Sequence, residues 1–354
     1  MATTSLKDVT THSCSSCSSS SGDEISQEYD QFYSDAQWIT GLICYPIICV
    51  LGIVGNILIM IVLARPAMRQ ATYVFLAALA VADTIKLIND FLYFLTILLL
   101  QVEPTMGNQL YGNLYPYAHF VFNVTVCVAS WLTVSVAVER YILIVTPLSN
   151  SRITLNRAVV ISTICYLVMV ALAVPSAYRY RSVVVHKVNT QGVNVTEFDV
   201  QLTELWQEEV FVNVYTWTQS LIRSIVPLFL LIVLNSCIIN AMRKTRGNRL
   251  HAAKNRITLV LIIVIIFFVI CILPDAVMSA FFNYGYAEDQ NLLVKGVREI
   301  TDMLLAINAS INFMLYIVFN TAFREEFLKL FCAVMPKNKG RSAPATRHET
   351  TELL

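Results

Sequence analysis

Seven separated stretches of predominantly apolar residues constrain this chain more than any other feature. They run near Trp38–Leu63, Thr72–Leu100, Leu114–Val145, Arg157–Ala177, Val214–Met242, Arg256–Phe282 and Leu292–Phe319. A helix needs about 20 apolar residues to cross a bilayer, and each stretch is long enough. Backbone polar groups cannot stay unpaired in lipid, so each stretch is expected to be helical. The period-two alternation of a membrane barrel strand is absent. The whole chain is 56% hydrophobic and only 14% charged, too few charges for the surface of a soluble protein of 354 residues. A net charge of +1 gives no bulk basic signal for nucleic acid. The expected fold class is therefore an all-α membrane protein: a seven-transmembrane helix bundle over 36–319, with a short amphipathic interfacial helix over 320–333.

Basic residues mark alternate connections. Arg65 and Arg69 follow span 1, Arg152 and Arg157 lie between spans 3 and 4, and Arg243, Lys244, Arg246, Arg249, Lys254 and Arg256 lie between spans 5 and 6. Arg324, Lys329, Lys337 and Arg341 follow span 7. The positive-inside rule puts these segments in the cytoplasm and the N-terminus outside. Residues 1–35, rich in Ser, Thr and acids, read as a disordered outer tail, and 334–354 as a cytoplasmic tail. No basic start followed by an apolar core resembles a cleaved signal, so span 1 is expected to direct insertion. The connection Tyr178–Phe211 is long and acidic. Val183–Val185 and Val193–Val195 flank Asn-Thr-Gln-Gly there, the pattern of a hairpin over a cavity mouth. Asn194-Val195-Thr196 in that segment fits a glycosylation acceptor. Cys14 and Cys17, in the Ser-rich leader, lack the second pair or histidines of a zinc site and are expected to form a local disulfide or stay free thiols.

The spans carry motifs in a fixed order. Span 1 has Gly55-Asn56-Ile57-Leu58, and span 2 has Leu79-Ala80-Val81-Ala82-Asp83. Span 3 ends Glu139-Arg140-Tyr141, followed by Thr146-Pro147-Leu148. Span 5 has Pro227, span 6 has Cys271-Ile272-Leu273-Pro274, and span 7 has Asn312-Phe313-Met314-Leu315-Tyr316, then Phe323-Arg324. Each is weak alone; together, in order, they are strong. From Trp38 to Cys332 the chain resembles the rhodopsin-like G-protein-coupled receptors. Asn312-Phe313, Leu234-Asn235-Ser236 and Asn308-Ala309-Ser310 resemble the neuropeptide branch that holds the FMRFamide and sex-peptide receptors.

The chain departs from the family pattern in several places. Ile272 replaces a span-6 tryptophan, Phe313 the span-7 proline, Tyr166 the span-4 tryptophan and Asn235 the span-5 tyrosine. Tyr115 stands where span 3 usually begins with a cysteine, and Tyr178–Phe211 holds no cysteine. Both halves of the usual disulfide are missing, a tether worth roughly 2–4 kcal/mol in ordinary proteins.

Charges inside spans are costly and point to function. Lys86 and Asp90 follow Asp83 near one helix face; they read either as a self-neutralising pair or as a pair that a ligand breaks. Arg223, Asp275, Glu299 and Asp302, with His119 on span 3, complete a charged upper bundle. Acids (Asp90, Asp275, Glu299, Asp302) slightly outnumber bases (Lys86, Arg223, Arg298) there, which suits a ligand bearing a cationic group, such as a peptide with arginine or an amine. Tyr93, Tyr117, Phe120, Trp217, Phe281 and Phe282 are aromatic candidates for the same cavity, or for packing and the lipid interface. Span 3 holds no aspartate, which disfavours a small amine, and Ala306 on span 7 removes the lysine that retinal requires.

The resemblance implies the remaining roles. Asn56, Asp83, Glu139, Arg140, Tyr141, Pro274, Asn308, Asn312 and Tyr316 form the activation switch, and Arg140 and Leu148 meet the G protein. Asp83 corresponds to an allosteric sodium site, with Asn308, Ser310 and Asn312 as further ligands and Ala129 in place of a serine ligand. The other reading of Asp83 is a plain hydrogen-bond network with Asn56 and water. No other cofactor is implied. Span 6 has Lys254-Asn255-Arg256 where a glutamate usually locks onto the span-3 arginine, so appreciable basal signalling is expected. Residues 320–332 read as an interfacial helix against membrane lipids, ending at Cys332, a palmitoylation position. Ser342, Thr346, Thr350 and Thr351 are positions for receptor kinases and arrestin. The expected function is a plasma-membrane receptor that passes the binding of an extracellular ligand, a neuropeptide by resemblance, to heterotrimeric G proteins. The alternative is a seven-helix transporter or channel, although charges stop at an apolar floor (Val134, Val136, Val138, Leu304, Leu305). No paired motif of a membrane enzyme is present.

Overall fold

The computed structural model describes residues 20–145, 152–188, 194–244, 249–281 and 291–331. Six helical segments are long and apolar enough to cross a membrane: Gln27–Leu63, Ala71–Val102, Pro104–Val145, Leu155–Ala177, Glu209–Ala241 and Leu292–Phe319. The seventh helix of the bundle, Arg249–Phe281, has its apolar part at Ile265–Ser279 among the described residues.

In chain order the elements are α1 (Ser20–Gln37), a π turn (Trp38–Cys44), α2 (Tyr45–Leu63), α3 (Ala71–Val102), α4 (Pro104–Val145) and α5 (Leu155–Ala177). Strands β1 (Tyr180–Val188) and β2 (Asn194–Leu202) follow. Then come α6 (Glu209–Ser220), a second π turn (Leu221–Ile225), α7 (Val226–Lys244), α8 (Arg249–Phe281), α9 (Leu292–Phe319) and α10 (Thr321–Phe331). Chain direction puts α1, the hairpin, the end of α3 and the starts of α4 and α9 at one end of the bundle. The other end holds the start of α3, the end of α4 and α10.

The largest apolar core joins α2, α3, α4, α9 and α10 through Ile59, Phe75, Leu79, Val128, Leu132, Tyr316 and Phe323. A second joins α4, α7, α8 and α9 through Val134, Leu231, Phe268 and Leu305. α5 lies outermost and turns Val160, Ile164 and Leu167 outward, as a lipid-facing helix must.

Three sequence expectations change. Residues 20–35, read as part of a disordered tail, form α1. Ile25, Tyr29, Phe32 and Ala36 recur at helical spacing, and the Phe32 ring packs where Gly296 of α9 carries no side chain. Span 3 begins at Pro104 rather than Leu114, which lengthens α4 by about 15 Å beyond the expected start. Span 5 begins at Glu209 and is interrupted by the π turn.

The expected hairpin is present, with Tyr180 paired to Leu202 and Val188 to Asn194. Its tether to α4 explains how the bundle holds it without a disulfide. The Asn108 amide donates to Phe198 O at 3.3 Å, and Phe198 N donates back to Oδ1 at 2.6 Å. Gly112 leaves room for the Phe198 ring, and Tyr115 packs edge-on against Tyr180 with centroids 5.0 Å apart. At the hairpin base the Arg179 guanidinium lies 4.4 Å from the Trp206 ring. The described cysteines Cys44, Cys49, Cys127, Cys165, Cys237 and Cys271 are all free thiols.

α10 is amphipathic as expected. Phe323 is fully buried against Tyr316 and Phe313, and Phe327 meets Phe313 at 5.5 Å. This accounts for the absent span-7 proline: Phe313 uses its ring to bind α10 to the bundle. Its Cβ sits so close to Gly55 that a methyl group there would come within 2.9 Å. On the open face Lys329 pairs with Glu326 at 2.5 Å, and that carboxylate raises the lysine pKa.

Candidate functional site

A cavity of about 240 Å³ opens among α1, α3, α4, α8 and α9 at the hairpin end. Six of the seven residues expected to form a pocket line it: Asp90, His119, Arg223, Asp275, Glu299 and Asp302. The seventh, Lys86, stands beneath, with Nζ 2.5 Å from Asp90 Oδ2. Burial of an isolated charge in lipid-embedded protein is expensive, so the partners of each decide what it can do.

Lys86 and Asp90 are one helical turn apart and neutralise one another, the first of the two readings of that pair. Arg223 is fully buried because the π turn brings it inward; such bulges occur often at functional sites. Its Nη2 donates to Asp275 Oδ2 and, at 3.1 Å, to Ser279 Oγ, while Nη1 donates to Asn123 Oδ1 at 3.2 Å. One guanidinium thereby ties the span-5 helix to α4 and α8. Asn123 in turn lies 3.2 Å from His119 Nε2; an amide NH2 there fits the tautomer with Nε2 bare. The Phe122 ring sits between the two cations, 5.3 Å from Lys86 Nζ and 5.5 Å from the Arg223 guanidinium. Pro274 removes the N–H that would bond the carbonyl of Ile270, which loosens α8 next to Asp275.

Glu299 differs from the other acids. Tyr93 donates to its Oε1 at 2.9 Å. The Thr40 hydroxyl stands 3.4 Å from Oε2 but is also 2.8 Å from Ala36 O, the better acceptor. α1 supplies the rest of this wall, with Tyr33 and Gln37 lining the cavity and Gln37 Nε2 within 3.5 Å of the Tyr93 hydroxyl.

The aromatic expectations fare unevenly. Tyr93 lines the cavity. Tyr117, Trp217 and Phe281 are 67%, 54% and 76% exposed on the bundle's outer surface, Phe120 is half-buried outside the lining, and Phe282 lies outside the described residues. Phe122, Tyr45, Tyr111 and Tyr115 take their places. Their positions follow the inward face of each helix, which spacing alone did not phase.

At the opposite end Glu139 and Arg140 are buried together, with Arg140 Nε 3.3 Å from Glu139 Oε2. Thr72 at the start of α3 completes the pair. Its hydroxyl donates to Glu139 Oε2 at 2.7 Å and accepts from Arg140 Nη2. Tyr141 is half-buried beside them. Leu148 and Cys332 lie outside the described residues, as do the side chains of Lys254, Asn255 and Arg256.

Between the two ends, Asn312 Nδ2 donates to Asp83 Oδ2 at 2.8 Å, and Asn56 Nδ2 to Ala309 O at 2.9 Å. Ser310 Oγ bonds back to Ile307 O, and Asn308 is half-buried without a hydrogen bond to Asp83 among the described residues. Ala129 offers no oxygen. Asp83 thus faces the Asn312 amide NH2 rather than a ring of oxygens, so these residues do not present a sodium cage; nor is Asn56 its partner, since that side chain bonds Ala309 O. Tyr316 is buried with its hydroxyl unpartnered. Tyr166, where a tryptophan is usual, donates to Ala78 O at 2.7 Å and so holds α5 on α3.

The fold defines a multi-pass membrane protein with a polar cavity at one end and a buried Glu139–Arg140 ion pair at the other. The family model described as 7 transmembrane receptor (rhodopsin family) matches residues 55–316, and the chain belongs to that family. Among curated proteins, the FMRFamide receptor of Drosophila melanogaster is 28% identical over 308 residues, covering 83% of this chain but 54% of that receptor. The sex peptide receptor of the same fly is 26% identical over 339 residues, 84% of this chain and 74% of the receptor. The galanin receptor type 1 of Mus musculus is 23% identical over 297 residues, 82% and 81% of the two chains. The chain therefore spans about half the length of the first of these relatives. Membership of a receptor family removes the ground for the transporter or channel alternative.

Proposed function

We propose that this chain is a plasma-membrane receptor that binds an extracellular peptide bearing a cationic group and activates a heterotrimeric G protein. One observation carries the reading: the cavity and the latch sit on the same helices at opposite ends. Along α3, Asp90 and Thr72 are separated by about 27 Å of helix. A ligand acts through its different affinity for two helix arrangements, so a bundle that joins both sites is what such a receptor needs. The names of the similar receptors, which print FMRFamide, sex peptide and galanin, support a peptide over a small amine.

The basic connections put the N-terminus and the hairpin outside, with Asn194 at the start of β2 as the glycosylation position. Lys86, Asp90, His119, Arg223, Asp275, Glu299 and Asp302 serve the ligand pocket. Asn56, Asp83, Pro274, Asn308, Asn312 and Tyr316 relay the change to Glu139, Arg140 and Tyr141, and Arg140 and Leu148 meet the G protein. Cys332 anchors α10 by palmitoylation, and the Ser/Thr-bearing tail receives kinases and arrestin. Screening amidated peptides on expressing cells with calcium and cAMP readouts tests this. An agonist response that Arg140→Gln abolishes at equal surface expression is expected. A response untouched by Arg140→Gln sinks the reading.

A further inference from the structure

We infer that Glu299 is the docking point for the ligand's cationic group, in a corner framed by Tyr93, Tyr33 and Gln37. The inference rests on the receptor reading and deepens it. The surplus of acids in the upper bundle does not by itself say which acid a ligand meets, but the partners do. Asp90 already holds Lys86, Asp275 already holds Arg223, and Asp302 is not without a partner either. None of the ion pairs among the described residues involves Glu299, although it is only 2% exposed and lines the cavity.

A carboxylate accepts through two oxygens with about four lone-pair directions. Glu299 receives one good hydrogen bond, from Tyr93, and a long contact from a Thr40 hydroxyl whose better acceptor is Ala36 O. Its remaining acceptor capacity is buried beside the cavity, and among the described residues no cation stands within ion-pair distance of it. A buried charge in that condition is costly until something pairs with it. A guanidinium or ammonium entering the cavity supplies the missing charge and the missing donors. The surrounding rings suit the same group. Tyr45 and Tyr93 form an edge-to-face corner with centroids 5.8 Å apart, and both line the cavity, so a cation beside Glu299 also meets aromatic rings. Gln37, from a helix outside the expected transmembrane bundle, adds an amide within reach of the Tyr93 hydroxyl. α1 is thereby part of the binding site rather than a leader to it.

The test uses the full chain, purified in detergent, with N-acetyl-arginine amide as probe and its neutral isostere N-acetyl-citrulline amide as control. Binding to the folded state raises the midpoint of thermal unfolding. The arginine amide is expected to raise the wild-type midpoint at about tenfold lower concentration than the citrulline amide. Glu299→Gln keeps an oxygen for Tyr93 and removes the charge, so the two probes should become equal. Gln37→Lys places a tethered ammonium at the same carboxylate and should likewise erase the preference; it also serves if Glu299→Gln does not fold. An arginine preference that survives either substitution overturns the inference, as does a wild type with no preference. The peptide screen reports G-protein coupling separately, so a coupled receptor without the preference refutes the anchor and leaves the receptor reading standing.

Discussion

Thr72 offers the sharpest perturbation of the latch, because its hydroxyl is the one neutral group that touches both charges. It donates to Glu139 at 2.7 Å and accepts from Arg140. Thr72→Val keeps the side chain's shape and removes both bonds. Hydrogen bonds to charged groups contribute about 1.5–3 kcal/mol each. Two such bonds sum to about 3–6 kcal/mol, but Glu139 and Arg140 retain their own contact at 3.3 Å, so the net loss is set below that sum, at about 2 kcal/mol. That shifts a two-state equilibrium about 30-fold: a receptor active in about 1 molecule of 100 becomes active in about 1 of 4. The assay is agonist-independent nucleotide exchange on G protein in membranes at matched receptor density. Thr72→Val should exceed wild type many-fold, and Thr72→Ser, which keeps the hydroxyl, should stay near it. Basal exchange equal in all three receptors would refute the claim that the hydroxyl holds the latch. So would an increase in Thr72→Ser as large as in Thr72→Val.

Other consequences follow from the same geometry. Dithiothreitol should leave the ligand response intact, since Asn108 and not a disulfide ties the hairpin to α4. Asn108→Ala, which removes two hydrogen bonds of about 0.5–1.5 kcal/mol each, should raise amide exchange along β2; unchanged exchange would count against the tether. Removing one partner of the buried Arg223–Asp275 pair should destabilise the solubilised receptor by about 3–5 kcal/mol, and replacing both by Met and Leu should cost much less than the sum. Strictly additive losses in thermal unfolding would show that the two side chains do not act as a pair. Wild-type receptor should also signal above empty cells at matched expression, because basic residues stand where a locking glutamate is usual on α8. Output equal to that of empty cells contradicts this.

The spans were legible because lipid leaves a chain few choices: about 20 apolar residues without a break read as a helix whatever their order. The pocket acids were legible because charge inside such a span is rare. Their partners were not. Thr84, Thr96, Thr125, Ser130 and Thr133 all turn their hydroxyls to carbonyls of their own helix. Thr72 reaches across to another helix instead, and nothing in its residue type or spacing announces that. The π turn at Leu221–Ile225 adds a residue to one helical turn, so extrapolating a 3.6-residue period through span 5 misplaces its inward face; Trp217 falls outside and Arg223 within. α1 was readable in principle. Ile25, Tyr29, Phe32 and Ala36 recur in the sequence at helical spacing, but Ser and acids around them lowered the average below that of a folded segment.

Arg140 and Arg223 solve one problem in the same way, and that sameness isolates Glu299. Arg140 pairs with Glu139, and a threonine hydroxyl from another helix accepts from the cation and donates to the anion. Arg223 pairs with Asp275, and the Ser279 hydroxyl again lies between them, accepting from the guanidinium at 3.1 Å and facing Asp275 Oδ1 at 3.4 Å. A hydroxyl suits this role because it is donor and acceptor at once, so it lowers the cost of both charges without adding one. At Glu299 the hydroxyls are present, from Tyr93 and Thr40, and the cation is not. The same three-part arrangement is complete where the helices must be held and lacks its positive member where the cavity opens. On the anchor proposed above, a ligand's cation would complete it there, and differential affinity for the arrangement that admits that cation would be how a ligand at this end moves the Glu139–Arg140 pair at the other.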